Sequence, residues 1–292
     1  MTGKIMKGIG GFYYVYVEGS GLYECRARGI FRNKRQKPNV GDLVDIDPIS
    51  REEKTGNLVK IHPRKNQLVR PMAANVDQAL VIFSVHEPEP NFNLLDRFLI
   101  MMERQDIPVV ICFNKIDLAD DEELQRLKRD YRGCGCHMVF MSAEEGTGTE
   151  EVKELLDGKT SILAGPSGVG KSSALNRIAG ENQMLTGEIS KKIRRGRHTT
   201  RHSELIWLWE NTFLMDTPGF SSLYLEAMEK EELRFCFPEF ASYENRCRFN
   251  GCCHVHEPDC LVKQDVESGI ISRLRYDDYC LLYEELGQMR KW

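Results

Sequence analysis

Apolar and polar positions alternate in short runs along the start of the chain, at 3–8, 11–17, 21–29, 41–47 and 56–62. Turn-forming triplets separate them: Gly19-Ser20-Gly21, Lys37-Pro38-Asn39 and Thr55-Gly56-Asn57. A period of two places one face of each run inward, which predicts strands. Five strands in so short a stretch predict a small β-barrel over residues 1–68. The pattern fits an oligonucleotide-binding barrel and an SH3-like barrel equally.

From residue 75 the rhythm changes to strand followed by helix. Buried-type strands are expected at 78–85, 108–113, 137–141 and 161–164, and another at Thr212-Phe213-Leu214-Met215. Helical spacing appears at 94–103, 122–132, 150–156 and 172–179. This alternation predicts an α/β domain with a mainly parallel sheet covered on both faces, here residues 69–222. Residues 223–292 break the alternation and read as a charged helical domain interrupted by cysteines and histidines.

Charge divides unevenly along this frame. Residues 1–70 carry 14 Lys/Arg against 7 Asp/Glu, although the whole chain has a net charge of −4. A basic barrel on an acidic chain points to a polyanion-binding surface, such as RNA. No apolar run reaches the length of a membrane span, and the first residues lack the apolar core of a secretory signal. The chain therefore reads as a cytoplasmic monomer without a membrane partner.

Each sequence motif in the α/β domain follows a predicted strand, where open α/β sheets bind ligands. Gly165-Pro166-Ser167-Gly168-Val169-Gly170-Lys171-Ser172 has the form of a phosphate loop, with Ser173 behind it. Its backbone N–H groups can cradle phosphates, with Lys171 bridging the β- and γ-phosphates and Ser172 holding Mg2+. Asp216-Thr217-Pro218-Gly219 can reach Mg2+ through Asp216 and sense the γ-phosphate through the Gly219 N–H. Asn114-Lys115-Ile116-Asp117 selects guanine, because the Asp117 carboxylate accepts from N1–H and the 2-amino group, donors that adenine lacks. Ser142-Ala143 adds an N–H for guanine O6. In an ordinary GTPase the phosphate loop comes first. Here the guanine motifs precede it, so the domain is circularly permuted.

The basic run from Lys191 to Arg201 lies where a first switch belongs, and Thr200, with Thr199 in reserve, is the candidate for Mg2+. Phe220 follows Gly219, where many GTPases carry a glutamine that orients water. His198 can supply the missing polar group, and a partner's residue is the alternative.

Four of the ten cysteines cluster in the last domain. Cys247, Cys252, His254 and Cys260 suffice for a closed tetrahedral site of structural type, holding one Zn2+. Cys253 and His256 are the uncertain neighbours.

Taken together, these features resemble the RsgA (YjeQ/YloQ) family of circularly permuted bacterial GTPases. The likeness covers the whole chain, through Leu94-Leu95-Asp96-Arg97-Phe98-Leu99, Gly168-Val169-Gly170-Lys171-Ser172-Ser173, Gly196-Arg197-His198-Thr199-Thr200-Arg201-His202, Asp216 to Ser222 and the Cys/His run. The resemblance implies an oligonucleotide-binding barrel, a central GTPase and a C-terminal zinc domain. It also implies action late in small-subunit maturation, with hydrolysis stimulated by the subunit and coupled to release, and it favours His198 and Thr200 as catalytic. The alternative reading is an RNA-binding assembly factor that uses GTP as a conformational ligand, which Phe220 motivates.

Overall fold

The computed structural model describes residues 1–27, 37–69, 72–179, 204–216, 225 and 228–288. The chain folds into two compact units. One comprises 1–81, 149–164 and 171–219; the other comprises 82–148, 165–170 and 220–292.

In the first unit, β1 (Thr2–Ile9), β2 (Phe12–Val17), β3 (Gly21–Ala27), β4 (Leu43–Ser50) and β5 (Thr55–Ile61) close into a barrel of order β1-β2-β3-β5-β4. The β3–β5 pairing is parallel, from Glu24 opposite Thr55 to Ala27 opposite Leu58, and β1 closes antiparallel on β4. This connectivity is that of an oligonucleotide-binding barrel, and it decides between the two barrels the alternation allowed. Every second residue fills the interior: Ile5, Val15, Tyr23, Cys25, Val44, Ile46 and Leu58 are all buried. A two-strand ribbon follows, β6 (Gln67–Leu68) with β7 (Ala73–Ala74). Arg64 ties it back, donating to both oxygens of the buried Asp42 at 2.6 and 2.8 Å.

The same unit contains β8 (Gln78–Ser84) up to Val81, β11 (Thr160–Ala164), β13 (Thr212–Asp216) and β12 (Glu204–Trp209), hydrogen-bonded in that order. β11 runs parallel to β8 and to β13. β12 is a strand the sequence pattern did not announce, and it runs antiparallel to β13. The barrel packs here. Tyr16 stacks on Trp207 with ring centroids 5.5 Å apart. Lys4 lies 4.1 Å above the Phe213 ring and donates to Thr160 Oγ1 at 2.6 Å. Burial lowers its ammonium pKa below the ordinary lysine value. Helices α3 (Thr149–Leu156) and α4 (Lys171–Ala179) complete the described part of this unit.

The second unit holds the other end of β8 beside β9 (Val109–Asn114) and β10 (His137–Met141), the last two parallel. Helix α1 (Phe92–Glu103) starts where Asn91 accepts a bond from the Leu94 N–H at 3.0 Å. Helix α2 (Asp121–Tyr131) starts on a reciprocal capping box between Asp120 and Glu123. The expectation of a helical C-terminal region is met by α5 (Leu261–Glu267) and α6 (Arg273–Gln288). Before them the described residues from 228 make 3-10 turns, Lys230–Cys236 and Pro238–Tyr243. Pro238 lacks the N–H that a continuing helix would use. Their aromatic side chains pack with α6: Phe237 stacks on Phe240, and Phe240 meets Tyr279 edge-on at 4.9 Å. Among the described residues no helix is long and apolar enough to cross a membrane.

Candidate functional site

Asn114 ends β9 and is 1 % exposed. A buried amide must satisfy both its donor and its acceptor. Its Nδ2 donates to the Val169 carbonyl of the glycine-rich loop at 2.8 Å, and its Oδ1 accepts from the Ala143 N–H at 3.0 Å. Its carbonyl accepts from the Val85 N–H at 2.9 Å. One side chain thus joins the Asn-Lys-x-Asp motif to the phosphate loop and to the Ser-Ala loop, and its backbone reaches the turn after β8.

The glycines make room for this. At Gly170 φ is +89°, and a Cβ would sit 2.4 Å from Asn114 Nδ2. At Gly165 a Cβ would sit 2.2 Å from the Ile82 carbonyl oxygen. Val169 is buried and anchors the loop, while Ser167 and Gly168 are exposed at its tip. Lys171, Ser172 and Ser173 then form the first turn of α4, whose N–H groups and dipole favour an anion.

Lys115 takes a left-handed conformation, φ 66°, and its ammonium donates to the Glu87 carbonyl. Asp117 follows on an exposed 3-10 turn, Ile116–Leu118, open to a ligand. Ser142 is fully buried, and its Oγ accepts from the Glu145 N–H at 3.2 Å, which shapes the loop presenting Ala143. Asp216 closes β13 one register step beyond the Met215–Ile162 pair, opposite Leu163. His198, Thr200 and Gly219, with Phe220, lie outside the described residues.

Sequence reasoning overlooked the segment 85–91. A Cβ added at Gly168 would meet Pro88 Cδ at 3.4 Å, and the Pro88 carbonyl accepts from Ser84 Oγ at 2.7 Å. Its place directly after a buried strand was the available signal. Also missed was a buried ionic cluster between α1 and α6. Arg275, 1 % exposed, donates to Asp96 at 2.6 Å and to both oxygens of Glu239 at 2.8 and 3.1 Å. Tyr131 donates to the same Asp96 oxygen at 3.1 Å. Asn93 binds Asp278 at 2.9 Å, and Arg97 forms a two-pronged pair with Glu285. The Leu-Leu-Asp-Arg-Phe-Leu segment therefore carries the polar side of a helix–helix seam.

The cysteine run does converge. Cys247, Cys252, His254 and Cys260 are all buried, with ligand atoms within 4.8 Å of one another. Cys247 Sγ is 4.0 Å from Cys260 Sγ and 3.7 Å from His254 Nδ1, which is 3.3 Å from Cys260 Sγ. Sulfurs tetrahedrally bound at about 2.3 Å from one centre stand roughly 3.8 Å apart, so the donors fit a tetrahedral metal. Cys253 is outside the set: its Sγ approaches the Gly251 carbonyl at 3.6 Å and Arg234 at 3.8 Å. His256 packs edge-on to Tyr283 instead. Burial pushes the Cys252 thiol up to about 12 and lowers the His254 imidazole, and a bound cation would reverse the thiol shift. Tyr276 and Tyr279 donate to the carbonyls of His254 and Cys253 at 2.7 and 2.5 Å, fixing the ligand loop from α6.

Comparison with known proteins agrees with this geometry. Residues 61–226 match the family described as RsgA GTPase, and residues 2–57 match the RsgA N-terminal domain. A protein of Agathobacter rectalis named small ribosomal subunit biogenesis GTPase RsgA is 54% identical, with 100% of both chains covered. One of the same name from Clostridium botulinum is 46% identical, again over 100% of both. The crystal structure of YjeQ from Thermotoga maritima superimposes with a TM-score of 0.82 at 36% identity, covering 99% of each chain. That of YloQ, described as a circularly permuted GTPase, gives 0.78 at 36%, covering 100% of this chain and 96% of the other.

Proposed function

The chain belongs to the RsgA GTPase family, and from that premise we propose that it hydrolyses GTP in the biogenesis of the small ribosomal subunit. The subunit stimulates hydrolysis, and hydrolysis releases the protein. The observation that carries the nucleotide assignment is the Asn114 amide, which joins the guanine motif to the phosphate loop. Asp117 reads the guanine edge, the Ala143 N–H faces O6, and the stem of Lys115 covers the base. Residues Gly165, Ser167, Gly168, Val169 and Gly170 line the phosphates, and Lys171 bridges the β- and γ-groups. Ser172, Thr200 and Asp216 would hold Mg2+, which would supply positive charge to the phosphates. His198 positions the attacking water in place of the glutamine that Phe220 displaces.

The functional domains are 1–68, 69–222 and 223–292. The barrel binds rRNA, the Cys3His set holds a structural Zn2+, and the protein works as a cytoplasmic monomer. Support for zinc is the donor set itself, three thiols and one imidazole with no open position.

The deciding experiment is steady-state GTP hydrolysis, alone and with purified small or large subunits. Stimulation by small subunits alone, lost in His198→Ala, is the expected result. Absence of stimulation by either subunit would instead favour a GTP-gated RNA-binding factor. Base reading is checked separately: Asp117→Asn should shift preference from guanosine to xanthosine nucleotides, and unchanged GTP affinity would overturn that role.

A further inference from the structure

Away from the nucleotide and metal sites, three further cysteines line one cavity of about 70 Å3: Cys134, Cys136 and Cys236. Cys134 and Cys136 flank Gly135, whose φ of +74° turns the chain sharply between them. Both side chains line the cavity from either side of this turn, and the Cys136 thiol reaches the Cys134 carbonyl at 3.6 Å. Arg275 and Glu103 line the same cavity. Cys134 is 4 % exposed, and Cys136 is half-buried.

Two cysteines side by side in one cavity can react in sequence, because the thiolate is the nucleophile and a second thiol can resolve what it forms. Here the pair is also polarised. The interaction with Cys136 lowers the Cys134 thiol against the opposing effect of burial, with Arg275 assisting and Glu239 opposing, and it raises the Cys136 thiol. Burial leaves Cys236 at about 11, inert beside them. The cavity is small enough to favour a molecule of a few heavy atoms over a bulky disulfide.

We infer that Cys134 and Cys136 form a peroxide-reactive dithiol site, with Cys134 attacking and Cys136 resolving. The Cys134 thiolate attacks one oxygen of hydrogen peroxide; the O–O bond breaks, hydroxide leaves, and a proton makes it water. Cys134 is then a sulfenic acid. The Cys136 sulfur attacks Cys134, the S–O bond breaks, a second water leaves, and a disulfide forms. In sum two thiols and one peroxide give one disulfide and two waters.

The test uses the full chain with its metal bound. Trypsin releases Gly133–Lys153, a peptide with these two cysteines and no others. After brief exposure to one equivalent of peroxide and alkylation, mass spectrometry should find this peptide two hydrogens lighter and unalkylated. In Cys136→Ser, dimedone should trap Cys134 at least about tenfold faster than it traps the half-buried Cys280. Cys134→Ser should show no such advantage at Cys136. An oxidised glutathione arm should react at least about tenfold more slowly than peroxide. The proposal is overturned if the peptide stays fully alkylated, if Cys134 reacts no faster than Cys280, or if the bulky disulfide reacts as fast as peroxide. Unchanged metal content in both variants would show that they remain folded.

Discussion

The barrel and the C-terminal region are of similar size, and they are held together in opposite ways. The barrel closes its own hydrogen-bond ladder and fills its centre with Ile5, Val15, Tyr23, Val44 and Leu58. Its stability is distributed over many similar contacts. The region from 228 onward has two helices, two 3-10 turns and irregular chain. Its core mixes aliphatic side chains such as Leu233, Val262 and Leu282 with aromatic rings and cysteines, and its polar fixed points are few: the Cys3His set and Arg275. Small units that bury too little apolar surface to fold on packing alone are commonly secured by a metal or by covalent links. The barrel spreads its stabilisation over like contacts, and the C-terminal region adds concentrated polar fixed points to its core.

That contrast fails or sharpens under perturbation. The largest effect should come from metal removal. Structural Zn2+ contributes about 10 kcal/mol or more in small zinc modules, so chelation, or Cys260→Ser, should abolish hydrogen-exchange protection around 228–288. Protection in β1–β5 should persist. Loss of protection in both regions at once would erase the distinction.

Next is Arg275→Met, which leaves Asp96 and Glu239 buried without their cation. Unpairing a buried ion costs about 3–5 kcal/mol, to be read from urea denaturation of the intact chain. The metal should remain bound, because Arg275 is not one of the four ligands. On the barrel side, Leu58→Ala should cost about 2–5 kcal/mol through the cavity it opens. Its mark is loss of exchange protection confined to the barrel, with full metal content.

The smallest effect is a pH slope. Arg97 holds the Glu285 carboxyl below its ordinary 4.5, so the folded protein binds fewer protons there than the unfolded chain. The stability this adds is complete above 4.5 and is lost as pH falls through the lower folded value. The pair is partly solvated, so the contribution is roughly half a kcal/mol or less. Arg97→Gln should flatten that part of the pH–stability curve.

Local chemistry was the legible part. Period-two alternation announces the barrel strands, and the motif order announces the permutation. Each follows from neighbours along the chain. β12 was not legible, because Glu204-Leu205-Ile206-Trp207-Leu208-Trp209 lacks clean alternation. Its order is set by β13 on one side and by Tyr16 of the barrel, which stacks on Trp207. Arg275 was hidden for a similar reason. An arginine on a charged helix reads as surface, and its partner Asp96 is 179 residues away. The choice among Cys252, Cys253, His254 and His256 depends on loop geometry, which spacing leaves open and in which Cys252 and His254 converge with Cys247 and Cys260.

Asn114 also sets an order of events during synthesis. A chain leaves the ribosome from its N-terminus, and segments begin folding in that order. The Asn114 oxygen finds its partner at Ala143, 29 residues on, but its Nδ2 must wait for Val169, 55 residues on. The half of the pocket proposed to read guanine is thus translated first and stays unfinished until the glycine-rich loop emerges. A newborn chain of this topology cannot hold a nucleotide triphosphate tail before more than half of its length has been made.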